Sequence, residues 1–148
     1  MDLIVVENPS NWLDKVIDLG DSARDTVGFL PRQAFEEYAL KGHIYAATND
    51  ENLLGYILFR DQGSTLVIVH LCVAQNERGT GVAKYLVDEL FERNKYYISG
   101  MKLSCRRDYG IDGFWRSVGF MPIGERPGRA TAKITTLTTW YRTNPFKP

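Results

Sequence analysis

The residues best suited to chemistry in this sequence form a glycine-rich turn, Arg78-Gly79-Thr80-Gly81-Val82-Ala83, between an apolar run and a helical pattern. The start of a helix exposes backbone N–H groups that have no intrahelical partner, together with the positive end of the helix dipole. Because glycine has no Cβ, Gly79 and Gly81 let an anionic group come close to those donors. The turn therefore predicts a site for a phosphate or diphosphate.

Two common phosphate-binding motifs do not fit this turn. A Walker A loop ends in Gly-Lys followed by Ser or Thr, whereas Val82 and Ala83 follow Gly81 here. The dinucleotide fingerprint needs a third glycine three residues after the second, and an acidic residue at the end of a second parallel strand. Lys84 stands in place of that glycine, and no acidic residue is suitably placed. The sequence excludes both motifs.

Two elements must position the turn. Thr65 to Val73 is apolar at almost every position, which predicts a strand covered on both faces and lying in the middle of a sheet. The segment from Gly81 to Arg93 has apolar residues at helical spacing. The predicted buried stripe of this helix consists of Val82, Tyr85, Leu86 and Leu90.

The rest of the chain reads as further strands and helices in a mixed order. The predicted strands are Leu3–Glu7, Ile44–Thr48, Leu53–Phe59, Met101–Cys105, Phe120–Ile123 and Ile134–Tyr141, and the predicted helices are Asn11–Ala23, Arg32–Leu40 and Ile111–Val118. A polar turn of hairpin length joins the second and third strands, and Gly119 is suited to end the last helix. This order is α/β, but it lacks the strict alternation of a doubly wound sheet.

Length and composition indicate one ordinary globular domain over residues 1–148. The sequence is 44% hydrophobic and 24% charged, close to the average for soluble proteins. No apolar run approaches the ~20 residues that span a bilayer, and Met1 to Val6 lacks the basic start of a signal peptide. Cys72 and Cys105 form no disulfide framework, and no zinc-ligand spacing occurs. We therefore expect a cytoplasmic location, no membrane and no metal.

The net charge is zero, but the charges are unevenly distributed. Residues 1–92 contain 7 basic and 15 acidic residues, whereas residues 93–133 contain 9 basic and 3 acidic residues. One interpretation is an ordinary solvated surface. The other is that the basic region faces an anionic ligand, for which a cofactor with three phosphates suffices, so that nucleic acid need not be invoked.

The glycine-rich turn resembles the signature of the GNAT superfamily of acyl-CoA N-acyltransferases, [Gln/Arg]-x-x-Gly-x-[Gly/Ala], at a strand-to-helix junction. Arg78, Gly81 and Ala83 occupy its three fixed positions. Members commonly carry a second block, Asn-x-x-Ala-x-x-x-Tyr-x-x-x-Gly-Phe, and Gly119-Phe120 ends a segment of that length here. The resemblance is strong from Leu66 to Phe120.

The resemblance implies a mostly antiparallel mixed sheet with helices on both faces and with central strands four and five splayed apart. Acetyl-CoA is the implied cosubstrate. Its pantetheine arm would pair with the backbone of strand four, and its pyrophosphate would bind the N–H groups of the turn. By position, the implied cofactor-binding residues are Leu71, Cys72, Val73, Arg78, Gly79, Thr80, Gly81, Val82, Ala83 and Trp115.

Two positions depart from the family pattern. The tyrosine that often protonates the leaving thiolate aligns with Trp115, whose indole N–H is no acid at physiological pH. The asparagine that often contacts the cofactor aligns with Asp108, which brings a negative charge. The thiolate would then take its proton from water or from another residue, unless this branch of the family has lost catalysis.

Direct acetyl transfer needs a neutral amine, and hence a general base or a water chain leading to one. His70 has a suitable unperturbed pKa, and its alternative role is that of a buried histidine bonded to a neighbour. Asp108 is the second candidate, and its alternative role is as an N-cap of the following helix. The two cysteines are interpreted as small core residues.

The sequence thus predicts an N-acetyltransferase that forms a ternary complex of acetyl-CoA and an amine acceptor. A protein of this fold that binds acyl-CoA without turnover, and acts through a protein partner, is the alternative. The identity of the acceptor, including one attached to RNA, and a homodimer both stay open.

Overall fold

The computed structural model describes residues 1–106, 111–127 and 136–146, and within these ranges the side chains of Asp25, Thr26 and Arg106 are not described. The described ranges form seven strands and five helices. In chain order they are β1 (Asp2–Val5), α1 (Asn11–Ser22), α2 (Arg24–Val27), α3 (Arg32–Leu40), β2 (Ile44–Asn49), β3 (Asn52–Gln62), β4 (Thr65–Val73), α4 (Val82–Asn94), β5 (Gly100–Arg106), α5 (Asp112–Ser117), β6 (Met121–Pro127) and β7 (Thr136–Thr143).

The strands form a sheet in the order β1-β2-β3-β4-β5-β7-β6. Antiparallel pairings join β1 to β2, β2 to β3, β5 to β7 and β6 to β7, whereas β4 and β5 are parallel. Strand β4 is fourth in the order, as its apolar sequence predicts. The mixed, mostly antiparallel α/β class expected from the sequence is confirmed.

The chain divides into two compact units. The first unit comprises residues 1–60 and 68–93, and the second comprises residues 61–67 and 94–148. No helix in the described ranges is long and apolar enough to cross a membrane.

The core of the first unit is built by α1 and α3 packing against strand side chains. Helix α1 begins after Ser10, whose Oγ accepts the Leu13 N–H at 3.1 Å and so caps the helix. The buried members of this core are Val6, Leu13, Val16, Ile17, Phe35, Ala39, Ile44, Ala46, Tyr56, Leu58 and Cys72. Each large apolar side chain among them contributes about 1.5–3 kcal/mol when fully buried.

The hairpin between β2 and β3 is closed by two residues. Asn49 pairs with Asn52, which leaves Asp50 and Glu51 as the loop. Asp50 has a φ of +54°, a left-handed conformation that aspartate tolerates better than most residues. The polar turn predicted from the sequence is therefore a tight two-residue connection.

In the second unit, β7 lies between β5 and β6. Trp140 of β7 is fully buried. Asn144, also fully buried, donates from Nδ2 to the carbonyl oxygens of Lys95 at 2.5 Å and Ile98 at 2.8 Å. These bonds tie the segment after β7 to the segment before β5. Strand β6, in contrast, is exposed at every position.

Several element bounds differ from the sequence-based prediction. Strand β1 covers Asp2–Val5 rather than Leu3–Glu7. Helix α2 was not predicted, because four residues carry no helical periodicity. On α4, Tyr85 is only half-buried, whereas Val87 and Phe91 complete the buried face. Residues 134 and 135 of the predicted last strand lie outside the described residues.

Candidate active site

The glycine-rich turn follows β4 through a short 3-10 turn, Gln75–Glu77, and leads directly into α4. Gly79 and Gly81 adopt φ values of +83° and +91°, respectively. Residues that carry a Cβ adopt such φ values only with strain. A Cβ added at either glycine would meet no atom of the described residues within 4 Å. Both glycines therefore border open space while the backbone turns, as a site for a bulky anion requires.

The first turn of α4 begins directly after Gly81 of the glycine-rich turn. The N–H of Tyr85 donates to the carbonyl of Gly81 at 3.0 Å and starts the intrahelical ladder. The N–H groups of Val82, Ala83 and Lys84 precede that ladder, so they belong to the helix end that attracts anions. Thr80 shapes the loop by donating to the Glu77 carbonyl from Oγ1 at 2.5 Å and from its N–H at 3.3 Å.

The start of α4 is held close to the sheet at a glycine that the sequence analysis did not single out. Val82 is 2% exposed. A Cβ on Gly55 of β3 would lie 3.0 Å from Val82 Cγ1 and 2.8 Å from the carbonyl oxygen of Cys72. Gly55 therefore lets the helix start and β4 pack against β3. Its signal in the sequence was a glycine interrupting an apolar strand, which often marks a close backbone approach.

Strand β5 pairs with only part of β4. Within the part of the chain that the structure describes, the parallel ladder pairs Thr65–Val67 with Gly100–Lys102 and has no further pair, although β4 continues to Val73. Leu71 and Val73 are half-buried, and Cys72 is 4% exposed. The described residues thus place the predicted pantetheine-binding segment on strand backbone beyond the β5 ladder.

The thiol of Cys72 belongs to the core of the first unit. Burial raises its pKa to about 11, and the charge of Arg78 offsets part of that shift. Because the thiolate is the nucleophilic form of cysteine, Cys72 is a poor nucleophile. This agrees with its interpretation as a small core residue.

His70 is buried, with 5% exposure. Its Nδ1 lies 3.1 Å from the hydroxyl of Tyr56 on β3. Burial lowers the pKa of His70, and a hydrogen bond with the backbone of Val27 acts in the opposite direction. The imidazole is therefore neutral near pH 7 and bonded to its neighbours, as in the alternative role weighed for it. The sequence did not predict Tyr56 as its partner, because Tyr56 is one aromatic residue in an apolar strand.

Asp108 and Trp115 are the remaining predicted site residues. Asp108 lies outside the described residues. Trp115 of α5 is 5% exposed in the second unit, with its ring 4.9 Å from that of Phe114 and 5.7 Å from that of Phe120. The Trp115 indole Nε1 is buried and has no hydrogen-bond partner among the described residues. Its proposed cofactor contact stays a prediction.

The described residues offer no cluster of three or more His, Cys, Asp and Glu side chains that could hold a metal. What they do offer is a glycine-rich turn at the start of α4, which follows the part of β4 that is not in the β5 ladder. This is the arrangement predicted for a long ligand that carries a diphosphate.

A family model described as "Acetyltransferase (GNAT) domain" matches residues 18–137. The chain belongs to the GNAT acetyltransferase family. The family predicted from the glycine-rich turn is confirmed, and so is the prediction of an acyltransferase. No curated protein matches this GNAT chain by sequence.

Solved structures of GNAT enzymes share its fold at low identity. The Escherichia coli ribosomal-protein-S18-alanine N-acetyltransferase is 10% identical with a TM-score of 0.82, and the match covers 99% of this chain and 96% of that one. An aminoglycoside 6'-N-acetyltransferase complexed with coenzyme A is 14% identical with a TM-score of 0.82, covering 100% and 99%. Arabidopsis thaliana NAA60 with a bisubstrate analogue is 14% identical with a TM-score of 0.80, covering 96% and 97%.

Proposed function

We propose that this GNAT acetyltransferase moves an acetyl group from acetyl-CoA to an amine by direct attack in a ternary complex. The observation that carries the proposal is the turn at the start of α4, where Gly79 and Gly81 adopt positive φ values, and a Cβ on either would meet no described atom within 4 Å. The neighbouring NAA60 and aminoglycoside acetyltransferase structures contain acetyl-CoA and coenzyme A, respectively.

Acetyl-CoA binding divides between the turn and β4. The pyrophosphate accepts hydrogen bonds from backbone N–H groups between Arg78 and Ala83, and the exposed Arg78 adds a positive charge. The amides of the pantetheine arm pair with the backbone of Leu71 to Val73, beyond the end of the β5 ladder. The side chain of Cys72 faces the core and takes no part.

The chemical step then has four parts. The neutral amine nitrogen attacks the thioester carbonyl, and the oxyanion of the tetrahedral intermediate accepts a hydrogen bond from a backbone N–H of β4. The carbon–sulfur bond breaks, and the thiolate takes a proton from water or from another residue. The amine gives up its proton to a base or to a water chain. Asp108 stays our proposal for that base, because His70 is buried and already bonded at Nδ1.

The phosphate assignment is tested by Gly81→Asp. The substitution adds bulk and negative charge where the pyrophosphate binds, so acetyl-CoA affinity should fall by about 2 kcal/mol or more. Gly63→Asp is the matched control: Gly63 also has a positive φ, +64°, and also borders open space. Isothermal titration calorimetry should show weak binding for Gly81→Asp alone. Equal affinities of the two folded variants would refute the phosphate assignment.

Turnover is tested by release of free thiol from acetyl-CoA with a panel of amines. The panel includes an aminoglycoside and an alanine peptide, after the activities named for the structural neighbours. A steady release of thiol that requires the amine would support the proposal that the protein is an acetyltransferase with turnover. An acceptor attached to RNA belongs in the same panel.

One observation favours a second candidate, a GNAT protein that binds acyl-CoA without turnover. Trp115 stands where the family often has an acidic phenol, and its buried indole N–H has no partner among the described residues. Tight acetyl-CoA binding with no thiol release for any amine would support this candidate and reject the enzyme.

A further inference from the structure

Two exposed aromatic side chains of the second unit share one lysine. Tyr96 is 73% exposed and Phe146 is 68% exposed. The Lys95 ammonium lies 5.4 Å from the ring centre of Tyr96 and 5.5 Å from that of Phe146, within the ~6 Å range of cation–π contacts. Single exposed apolar residues are common on protein surfaces, but here two exposed rings and a cation lie together. These three residues are called the aromatic–lysine surface.

The backbone that carries the two rings is held by Asn144. This residue is fully buried, and its Nδ2 donates to the carbonyl oxygens of Lys95 and Ile98. Its Oδ1 accepts the N–H of Phe146 at 2.9 Å, and its own N–H donates to the Ser99 carbonyl at 2.9 Å. One buried residue therefore fixes both segments that present the rings. A ligand that binds there does not have to order these segments first, which lowers the cost of binding.

The unit that carries the aromatic–lysine surface is basic. The second unit contains 10 basic and 4 acidic residues, whereas the first unit contains 8 basic and 14 acidic residues. Residues 94–107, which include Lys95 and Tyr96, contain four basic residues and no acidic residue. Because the summed charge of a surface attracts ligands of the opposite sign, the second unit favours an anionic partner.

We propose that the aromatic–lysine surface binds single-stranded nucleic acid. Each nucleotide carries a negative phosphate beside a flat base, so neighbouring nucleotides can place bases on the two rings and a phosphate at the Lys95 ammonium. The bases of a single strand have free faces, and stacking on an aromatic side chain depends little on which base is present. An acidic peptide or an anionic membrane offers negative charge, but no repeated flat groups for the rings. The proposal goes beyond acetyl transfer and does not depend on it.

Fluorescence anisotropy of a labelled RNA of about 12 uridines tests the proposal. Wild type should bind this RNA with an affinity that falls as the salt concentration rises. Tyr96→Ser and Phe146→Ser should each weaken binding by about fivefold or more, because each removes a ring on which a base stacks. Lys95→Gln should reduce the slope of log affinity against log salt by about 0.7, the value for one phosphate of a single strand. Urea unfolding checks that the variants are folded.

Phe29→Ser is the matched control. Phe29 is 64% exposed, and the Arg24 guanidinium lies 5.0 Å from its ring centre. This is the same kind of aromatic–cation pair, but it lies in the acidic first unit, so its loss should leave RNA binding unchanged. Duplex RNA of the same length should bind less tightly than the single strand, because its bases are already paired and stacked.

The proposal fails if wild type does not bind the single strand, or if the folded Tyr96→Ser and Phe146→Ser proteins bind it as tightly as wild type does. Two further measurements identify another occupant. Sedimentation that shows a wild-type oligomer, dissociated by these two substitutions, would assign the surface to a second copy of the chain. Binding to vesicles of anionic lipid, but not to the RNA, would assign it to a membrane. Either result overturns the proposal. A lack of thiol release with amines would reject the acetyltransferase alone.

Discussion

Gly20 lies near the end of α1 at a point where no side chain fits. A Cβ at this position would be 2.6 Å from the Tyr56 hydroxyl and 3.0 Å from Phe35 Cζ. The 2.6 Å contact is closer than real Cβ atoms make, so we expect the tyrosine to move in Gly20→Ala. Its hydroxyl would then leave His70 Nδ1, to which it is bonded at 3.1 Å.

The size of the effect follows from opposing contributions. Alanine in place of glycine inside a helix stabilises it by up to about 1 kcal/mol. Overpacking a filled core costs about 1–3 kcal/mol, and a buried polar group left without its partner costs about 1–3 kcal/mol more. The cost exceeds the gain, so Gly20→Ala should lower the free energy of unfolding by about 2 kcal/mol. In a chain of this length the melting temperature falls by roughly 4–8 °C.

Urea unfolding measures this change, and two further variants identify its cause. Gly113 of α5 is also helical, but a Cβ there meets no described atom within 4 Å, so Gly113→Ala should be neutral or slightly stabilising. In the double variant with Tyr56→Phe the clashing hydroxyl is absent, and the two substitutions should couple by about 1 kcal/mol. A Gly20→Ala protein as stable as wild type, or additive effects in the double variant, would refute the reasoning.

Three further outcomes are expected. Burial lowers the pKa of His70, so the neutral side chain favours the folded state above the unfolded pKa of about 6.5. This contribution to stability is lost as pH falls through the lower folded pKa. The urea midpoint of wild type should therefore fall more steeply below pH 6.5 than that of His70→Gln. In Cys105→Ser, Cys72 is the remaining thiol, and burial raises its pKa to about 11. At pH 8 it should react with a disulfide reagent at least ~100-fold more slowly in the folded than in the unfolded protein. Trp115→Phe should lower the free energy of unfolding by about 1–3 kcal/mol and keep most of the thiol release measured for wild type; a large loss of turnover in a folded variant would assign the indole a role in the reaction.

The sequence predicted the elements whose signals are local. The bounds of α3 and β4 agree with their apolar patterns, and Gly119 ends α5 with a φ of +92°, the conformation that a helix-ending glycine supplies. The glycine-rich turn between β4 and α4 was likewise predicted, because its signal comes from consecutive residues at one helix start; its phosphate binding stays a prediction.

Features that depend on contacts between distant residues were not predicted. His70 was identified as a candidate, but its partner Tyr56 lies on another strand, and Val27 lies on a helix too short to give a pattern. The requirement for glycine at position 20 comes from the Tyr56 hydroxyl, 36 positions along the chain. Periodicity shows which face of an element is buried, but not which side chain it meets there.

Strand β6 illustrates how an exposed edge can be kept from recruiting another chain. Met121 and Ile123 are 67% and 62% exposed, and β6 ends the strand order, so it resembles the templates on which protein aggregates grow. Pro122 and Pro127, however, pair with Trp140 and Thr136 of β7, respectively. These two partners are four residues apart, and the hydrogen-bonding pattern of an antiparallel pair alternates every two residues, so both prolines occupy the same kind of position in the ladder. A proline in a ladder turns its nitrogen away from the neighbouring strand. The outer edge of β6 therefore lacks two N–H donors that an added strand would need, and we expect this to disfavour polymerisation of concentrated protein through this edge.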